Sequence, residues 1–84
     1  MFKVLFFARI REQLDTDELK VSAEGIGNVS ELVDFLISEK GGNWGEVLKA
    51  PQGVLIAVNQ EMCSLQMSIE SGDEVAFFPP VTGG

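Results

Sequence analysis

The sequence predicts a two-layer α+β domain in which one principal helix covers one face of a small sheet. Three observations lead to this fold class. The chain has 84 residues, enough for one small domain that buries about 60–65% of its unfolded surface. Its apolar residues alternate in several short segments, as in strands, whereas only one long segment follows the helical period of about 3.6 residues. A single helix covers only one face of a small sheet, so the other face, called here the open face, is expected to lack a second layer.

The principal helix is predicted to begin after Asn28, a preferred N-cap residue, and Glu31 completes a pair that resembles a capping box. Lys40 falls in the last turn, and Gly41-Gly42 ends the helix. The apolar residues of this segment form one stripe, which we interpret as core packing: Val29, Leu32, Val33, Leu36 and Ile37. A short second helix is predicted over residues 43–49.

Five strands are predicted around these helices. The first is followed by a short helical turn over residues 10–14. The predicted strands are Phe2–Arg9, Glu18–Ala23, Val54–Val58, Met62–Ser64 and Glu74–Phe78. Val54–Val58 is continuously apolar, which predicts a central strand buried on both faces. The first and last strands are rich in Phe and are predicted to pair side by side. With a crossover helix between the first hairpin and the later strands, this order is a β-grasp with a mixed sheet.

The alternation within the first and last strands predicts which residues reach the open face. In the first strand, the set without charges should face the core: Phe2, Val4, Phe6 and Ala8. Phe7 then shares the open face with Leu5, Lys3 and Arg9. In the last strand Val75 and Phe77 should be buried, which turns Phe78 to the open face beside Glu74 and Ala76. Phe7, Phe78 and Met62 therefore predict an exposed partner-binding patch, unless neighbouring loops cover some of them.

The C-terminal residues predict an extended tail. Pro79 and Pro80 lack a backbone N–H and hold φ near about −65°, so they end sheet pairing. Val81 and Thr82 continue the segment, and Gly83-Gly84 forms a slim tip without side chains. We therefore divide the chain into a domain over residues 1–78 and a tail over residues 79–84. The tip suits insertion into a narrow channel of another enzyme, although a bare Gly-Gly end alone is also typical of a frayed terminus.

Composition argues for a carrier rather than a catalyst. The net charge of −7 disfavours nucleic-acid binding and suits a partner with a basic surface, although acidity also serves solubility alone. The chain has no His and only one Cys, Cys63, which excludes a disulfide within the chain and a Cys-pair metal site. We predict no metal site, and we interpret Cys63 as a structural thiol that is buried or half-buried.

No apolar run approaches the ~20 residues that a membrane-spanning helix needs. The first nine residues are too short an apolar stretch, with charges inside it, to be a signal peptide. We therefore expect a soluble, cytoplasmic protein that binds no membrane.

The whole chain resembles the small, sulfur-carrier subunit of molybdopterin synthase. The residues that carry the resemblance are Lys3-Val4-Leu5-Phe6-Phe7-Ala8, Val58-Asn59-Gln60 and Gly72-Asp73-Glu74-Val75-Ala76-Phe77-Phe78-Pro79-Pro80-Val81-Thr82-Gly83-Gly84. The resemblance implies a ubiquitin-like β-grasp. Nothing in it matches residues 41–45 or 50–53.

The resemblance also implies a sulfur-transfer cycle at Gly84. An E1-like activating enzyme would adenylate its carboxylate with Mg-ATP, and sulfur would then replace an oxygen to give a thiocarboxylate. The Gly83-Gly84 tip would enter a pocket of the large synthase subunit and donate sulfur to cyclic pyranopterin monophosphate. The expected assembly is a heterotetramer whose active-site side chains lie on the large subunit. The carrier itself is expected to bind no cofactor.

By the same resemblance, the positions of Phe7, Met62 and Phe78 line a hydrophobic contact with both partners. The tail residues are expected to contact the partners as well: Pro79, Pro80, Val81 and Thr82. Arg11 is a candidate polar contact, with a solvated surface Arg as the alternative.

Four other functions remain open from the sequence. A sulfur carrier for thiamine synthesis or a protein-modifying relative of ubiquitin shares the Gly-Gly end. A plain interaction module would use Phe7 and Phe78 and leave the tail inert. A free-standing enzyme is the weakest alternative, because the chain lacks His and has only Cys63.

Overall fold

The computed structural model describes residues 1–51 and 53–80. Its elements are β1 Phe2–Phe6, α1 Ala8–Leu14, β2 Glu18–Val21, α2 Val29–Lys40, α3 Trp44–Leu48, β3 Leu55–Val58, β4 Glu61–Cys63 and β5 Glu74–Phe78. The sheet order is β2-β1-β5-β3-β4. β1 pairs parallel with β5, and the remaining neighbours pair antiparallel. The predicted β-grasp with a mixed sheet and one principal helix is therefore confirmed. Across the described ranges, no helix is long and apolar enough to cross a membrane.

The principal helix α2 begins and ends as predicted, because its caps satisfy the free backbone groups at both ends. At the N-terminus, the Asn28 side chain accepts a hydrogen bond from the N–H of Glu31 at 2.8 Å. The Glu31 carboxylate in turn accepts one from the N–H of Gly27 at 2.7 Å, one residue earlier than in a standard capping box. At the C-terminus, Gly41 adopts φ 64°, and its N–H donates to the carbonyl of Ile37. The predicted stripe faces the core, with Ile37 partly buried.

The core lies between the sheet and the helices, and aromatic rings occupy its centre. Phe6 of β1 stacks on Phe77 of β5, with ring centroids 5.6 Å apart. Phe6 also meets the ring of Trp44 in α3 edge to face, with ring centroids 5.3 Å apart and an interplanar angle of 87°. Each such aromatic pair adds about 0.5–1.5 kcal/mol beyond its buried area. The parallel register places Phe6 and Phe77 opposite each other, so strand pairing and core packing support the same arrangement.

The first strand is shorter than predicted, because the chain leaves the sheet at Ala8. Strand β1 ends at Phe6, and Ala8 adopts φ 52° at the start of α1. This left-handed backbone breaks the extended path, so Ala8 and Arg9 lie in a helix and not in a strand. The alternation of apolar residues could not show this break, since an Ala fits either an inward strand position or a helix.

The structure of the third strand differs in part from the predicted burial on both faces. β3 begins at Leu55 and lies in the interior of the sheet, but Leu55 is 36% exposed. Burial on both faces is confirmed at Ile56, Ala57 and Val58 and is wrong at Leu55. The helices contribute their buried residues to one core on one face of the sheet, so a β3 residue that points to the open face is covered only by its neighbours. The remaining strands differ at their ends: β2 stops at Val21, and β4 covers Glu61–Cys63.

We expect Phe6→Ala to lower the free energy of unfolding by about 3–5 kcal/mol, because it removes a fully buried ring and leaves a cavity. Urea unfolding followed by far-UV circular dichroism measures this loss. Phe35→Ala is the matched control: Phe35 is 39% exposed on α2, and we expect it to cost less than about 1 kcal/mol. Equal losses for the two variants would contradict the assignment of Phe6 to the core.

Candidate functional site

A second pair of Phe rings lies on the open face, directly behind the pair in the core. Phe7 keeps an extended backbone, with φ −123° and ψ 154°, although it follows the last residue of β1. Its N–H donates to the carbonyl of Phe77 at 3.1 Å, which continues the parallel pairing by one residue. Because side chains alternate along an extended chain, Phe7 points away from the core. Its ring stacks on Phe78 with centroids 4.7 Å apart and an interplanar angle of 5°.

Beside this stacked pair runs a groove of about 380 Å³, called here the open-face groove. Its lining residues are Leu5, Phe7, Ala57, Gln60, Met62, Glu74, Ala76 and Phe78. Ala57 and Ala76 are cross-strand partners at the junction of β3 and β5, and both are buried. Two small side chains at adjacent positions leave room between larger neighbours, which explains why a groove forms here. Glu74 is the only ionisable residue among the described residues of this lining, so the surface that they form is largely apolar.

Met62 extends the groove on the side away from the Phe pair. It is the cross-strand partner of Ala57 and is 61% exposed. Phe7 is also exposed, and Phe78 is half-buried. The structure therefore brings together the three residues that the sequence places in one patch. A flexible thioether next to stacked aromatic rings is typical of surfaces that bind other proteins. The role of these residues in partner binding stays a prediction.

Sequence reasoning missed two residues of the groove, Ala57 and Gln60. Ala57 is buried, as predicted for β3, but its burial alone gave no reason to expect a groove above its small side chain. Gln60 belongs to the two-residue turn between β3 and β4, where Asn59 and Gln60 have φ 50° and 71°. A tight hairpin of this kind was the available signal, because its loop residues must lie next to the strand positions that flank them.

Arg11 does not line the open-face groove. It lies on α1 and lines a separate depression with Glu12, Asp15, Thr16 and Asp17. The α1 turn directs it there, since the chain has already left the sheet at Ala8. The structure thus separates Arg11 from the predicted patch, and its role as a polar contact stays a prediction.

The tail leaves the sheet next to Phe78. Pro79 and Pro80 lie outside β5, as predicted from their missing N–H groups. Both are half-buried, because they line a cavity of about 340 Å³ with residues of α1 and α3, among them Arg9, Ile10 and Val47. The predicted partner contacts Val81 and Thr82 and the predicted reactive residues Gly83 and Gly84 lie outside the described residues.

Cys63 is half-buried at the end of β4, opposite Ile56 of β3. It packs against the core, in agreement with its interpretation as a structural thiol. Burial raises the pKa of the Cys63 thiol above its ordinary value, and a hydrogen bond with the backbone of Val58 opposes this more weakly. The thiol is therefore a weaker nucleophile near neutral pH than a free cysteine.

Comparison with known proteins first confirms the class, a ubiquitin-like β-grasp protein. Small archaeal modifier protein 1 from Methanosarcina acetivorans superimposes with a TM-score of 0.75, at 26% identity, covering 99% of this chain and 95% of that chain. A chain from the complex of subunits 1 and 2 of the molybdopterin-converting factor of Helicobacter pylori superimposes with a TM-score of 0.63, at 25% identity, covering 99% of this chain and 97% of that chain.

Sequence comparison then gives the family. The model of the ThiS family matches residues 4–84. The molybdopterin synthase sulfur carrier subunit of Escherichia coli is 43% identical over 84 residues, which cover 100% of both sequences. The chain therefore belongs to the ThiS family, and its resemblance to the molybdopterin synthase sulfur carrier subunits is confirmed.

We expect Cys63 to react with iodoacetamide more slowly in the folded protein than in urea, and its rate profile to reach half-maximum at a higher pH. The thiolate is the reacting form, and a raised pKa keeps the folded thiol protonated at a pH where the unfolded thiol has begun to ionise. Alkylation rates from intact mass across a pH series measure both effects. A folded midpoint at or below the unfolded one would contradict the assigned burial.

Proposed function

We propose that this chain is the sulfur carrier subunit of a molybdopterin synthase. The observation that carries the proposal is the 43% identity to the Escherichia coli sulfur carrier subunit over the whole of both sequences. The match of the ThiS family model through residue 84 supports it, because this match includes the Gly83-Gly84 end. The function requires no catalytic side chain on the carrier, in keeping with a chain that has no His.

The proposed chemistry takes place at the carboxylate of Gly84. A free carboxylate is a poor electrophile, so an E1-like activating enzyme first joins it to AMP from Mg-ATP and releases pyrophosphate. A sulfur donor then displaces AMP and leaves a thiocarboxylate on Gly84. The carrier itself binds no nucleotide in this scheme. The absence of side chains on Gly83 and Gly84 lets this end reach a narrow active site.

The thiocarboxylate is proposed to donate its sulfur to cyclic pyranopterin monophosphate within the large subunit. In each of two rounds, the thiocarboxylate sulfur bonds to a carbon of the substrate, and water then cleaves its bond to the Gly84 carbonyl carbon. Each round returns Gly84 to a carboxylate and supplies one of the two sulfur atoms of the dithiolene. The phosphate and the pterin need positively charged and hydrogen-bonding groups, which a chain of net charge −7 is poorly suited to provide. The large subunit therefore supplies these groups. The negative charge of the carrier complements them and speeds the encounter of the two proteins.

The open-face groove is proposed to dock both the activating enzyme and the large subunit, one at a time, in a cytoplasmic cycle. Phe7 and Phe78 supply a rigid aromatic pair, and Met62 supplies an adaptable apolar contact. The tail begins at Pro79, directly after Phe78, so a partner bound at the groove lies next to the start of the tail. The Helicobacter pylori structure, a complex of subunits 1 and 2, supports a large-subunit partner for this chain. We propose a heterotetramer of two carriers and two large subunits.

A second candidate function is protein modification, which the likeness to small archaeal modifier protein 1 favours. In that case the activated carboxyl of Gly84 would form an amide bond with a lysine of another protein. The two functions share the activation step and differ in the acceptor, so one reaction mixture distinguishes them.

We expect the purified chain to gain the mass of one sulfur in place of one oxygen when it is incubated with Mg-ATP, a sulfur source and extract of its own cells. Intact mass spectrometry, followed by peptide mapping to Gly83-Gly84, measures the change. A variant lacking Gly84 is the control and should stay unmodified while it keeps its circular dichroism spectrum. An unchanged mass, in a mixture that converts a known carrier, would contradict the tail chemistry. Attachment to lysines of other proteins would favour the second candidate.

We expect Met62→Asp to weaken binding to the large subunit at least about tenfold, because it places a charge in an apolar contact that must lose its water. Isothermal titration calorimetry with the large subunit from the same cells measures the dissociation constant. Met67→Asp is the matched control: Met67 is 42% exposed and does not line the groove. Equal effects of the two substitutions would contradict docking at the open-face groove.

A further inference from the structure

We propose that Gln60 is a specificity-determining contact of the open-face groove. Its side-chain amide pairs with a backbone peptide group of the large subunit and fixes the register in which the carrier docks. The inference rests on the proposed function and deepens it, since it assigns a role to a residue that the apolar patch does not explain.

The first observation is the backbone of the turn that holds Gln60. Val58 and Glu61 are cross-strand partners, so Asn59 and Gln60 form a two-residue loop between β3 and β4. Both loop residues have positive φ, 50° and 71°, as in a type I′ turn. The second position of this turn prefers Gly, because a Cβ is strained there. A Gln at this position indicates that its side chain has a use that outweighs the strain.

The second observation is that the Asn59 side chain has a structural role in the turn, which leaves the Gln60 side chain to be explained. The side-chain N–H of Asn59 donates to the carboxylate of Asp73 at 3.0 Å, and its side-chain oxygen accepts from the N–H of Glu74 at 2.9 Å. The backbone N–H of Asn59 also donates to the carbonyl of Glu74 at 2.8 Å. Asn59 therefore ties the hairpin to the start of β5. The fold thus has a structural use for the first loop residue, and Asn also tolerates positive φ well.

The third observation is the place of Gln60 in the groove. Gln60 is exposed and lines the groove together with Met62, Glu74 and Phe78. Among the described residues that line the groove, only Gln60 has an uncharged polar side chain. The short hairpin and the bonds of Asn59 hold its backbone in place, so less conformational freedom is lost when the side chain binds.

The chemistry of an amide identifies the group it recognises. Apolar contacts of the Phe pair and Met62 are not directional, so they supply affinity without fixing a register. An amide carries both a donor and an acceptor and matches the N–H and C=O of a peptide backbone. It also avoids the cost of removing a full charge from water beside an apolar surface. Register matters here, because a displaced carrier would misplace the Gly84 end in the active site of the large subunit.

The test combines Gln60→Gly with Gln60→Ala. Gly suits the turn better than Gln, so Gln60→Gly should keep or raise the melting temperature. It should nevertheless weaken binding to the large subunit about three- to tenfold, the loss expected for one hydrogen-bonding group. Gln60→Ala should weaken binding to a similar extent without raising stability. Gln66→Ala, at an exposed position outside the groove lining, is the matched control and should bind like the wild type.

Thermal unfolding and calorimetric titration with the large subunit from the same cells measure both quantities. Wild-type affinity in Gln60→Gly and Gln60→Ala, with Met62→Asp still weakened, would overturn this inference alone. Failure of the wild-type chain to bind the large subunit would overturn both this inference and the proposed large-subunit partner. A loss of affinity confined to the two Gln60 variants and Met62→Asp supports the assignment.

Discussion

The structure depends on the parallel pairing of β1 with β5. This pairing joins the first strand of the chain to the last, and its register sets two Phe pairs back to back across the sheet. Phe6 and Phe77 stack within the core, and Phe7 and Phe78 stack on the open face. Because side chains alternate along a strand, one register fixes both stacks at once. A shift of β1 by one residue would turn Phe6 to the open face and Phe7 into the core, and both stacks would be lost. The core and the aromatic pair of the open face are therefore specified together.

The same pairing places the open-face groove next to the start of the tail. Pro79 follows Phe78 directly, and it cannot donate to a neighbouring strand, so the sheet ends where the aromatic pair ends. A partner that covers Phe78 therefore meets the beginning of the tail. Under the proposed function, this short path delivers Gly84 to whichever enzyme occupies the groove, and the carrier needs no catalytic group of its own.

The open face is largely apolar, and residues 1–51 and 53–80 form no second layer over it, because the core that the helices build lies on the opposite side of the sheet. Ala57 and Ala76 make this face concave, because the residues around them are larger. The polar residue Gln60 stands at a turn position that prefers Gly. Local strain of this kind concentrates at functional sites. The groove thus combines a non-directional apolar contact with one directional group.

The sequence by itself determined the features that depend on local patterns. These are the α2 helix with its Asn28 and Glu31 cap, the pairing of the two Phe-rich strands, and the faces of Phe7 and Phe78. The helix and the two faces follow from a cap or a period within a few residues, whereas the pairing was predicted by comparing two distant segments that are both rich in Phe. The tertiary structure alone decided the end of β1 at Phe6, the exposure of Leu55, the separation of Arg11 and the place of Gln60 in the groove. These features depend on which strands become neighbours and which face the helices cover, and neither is written in any single segment of the chain.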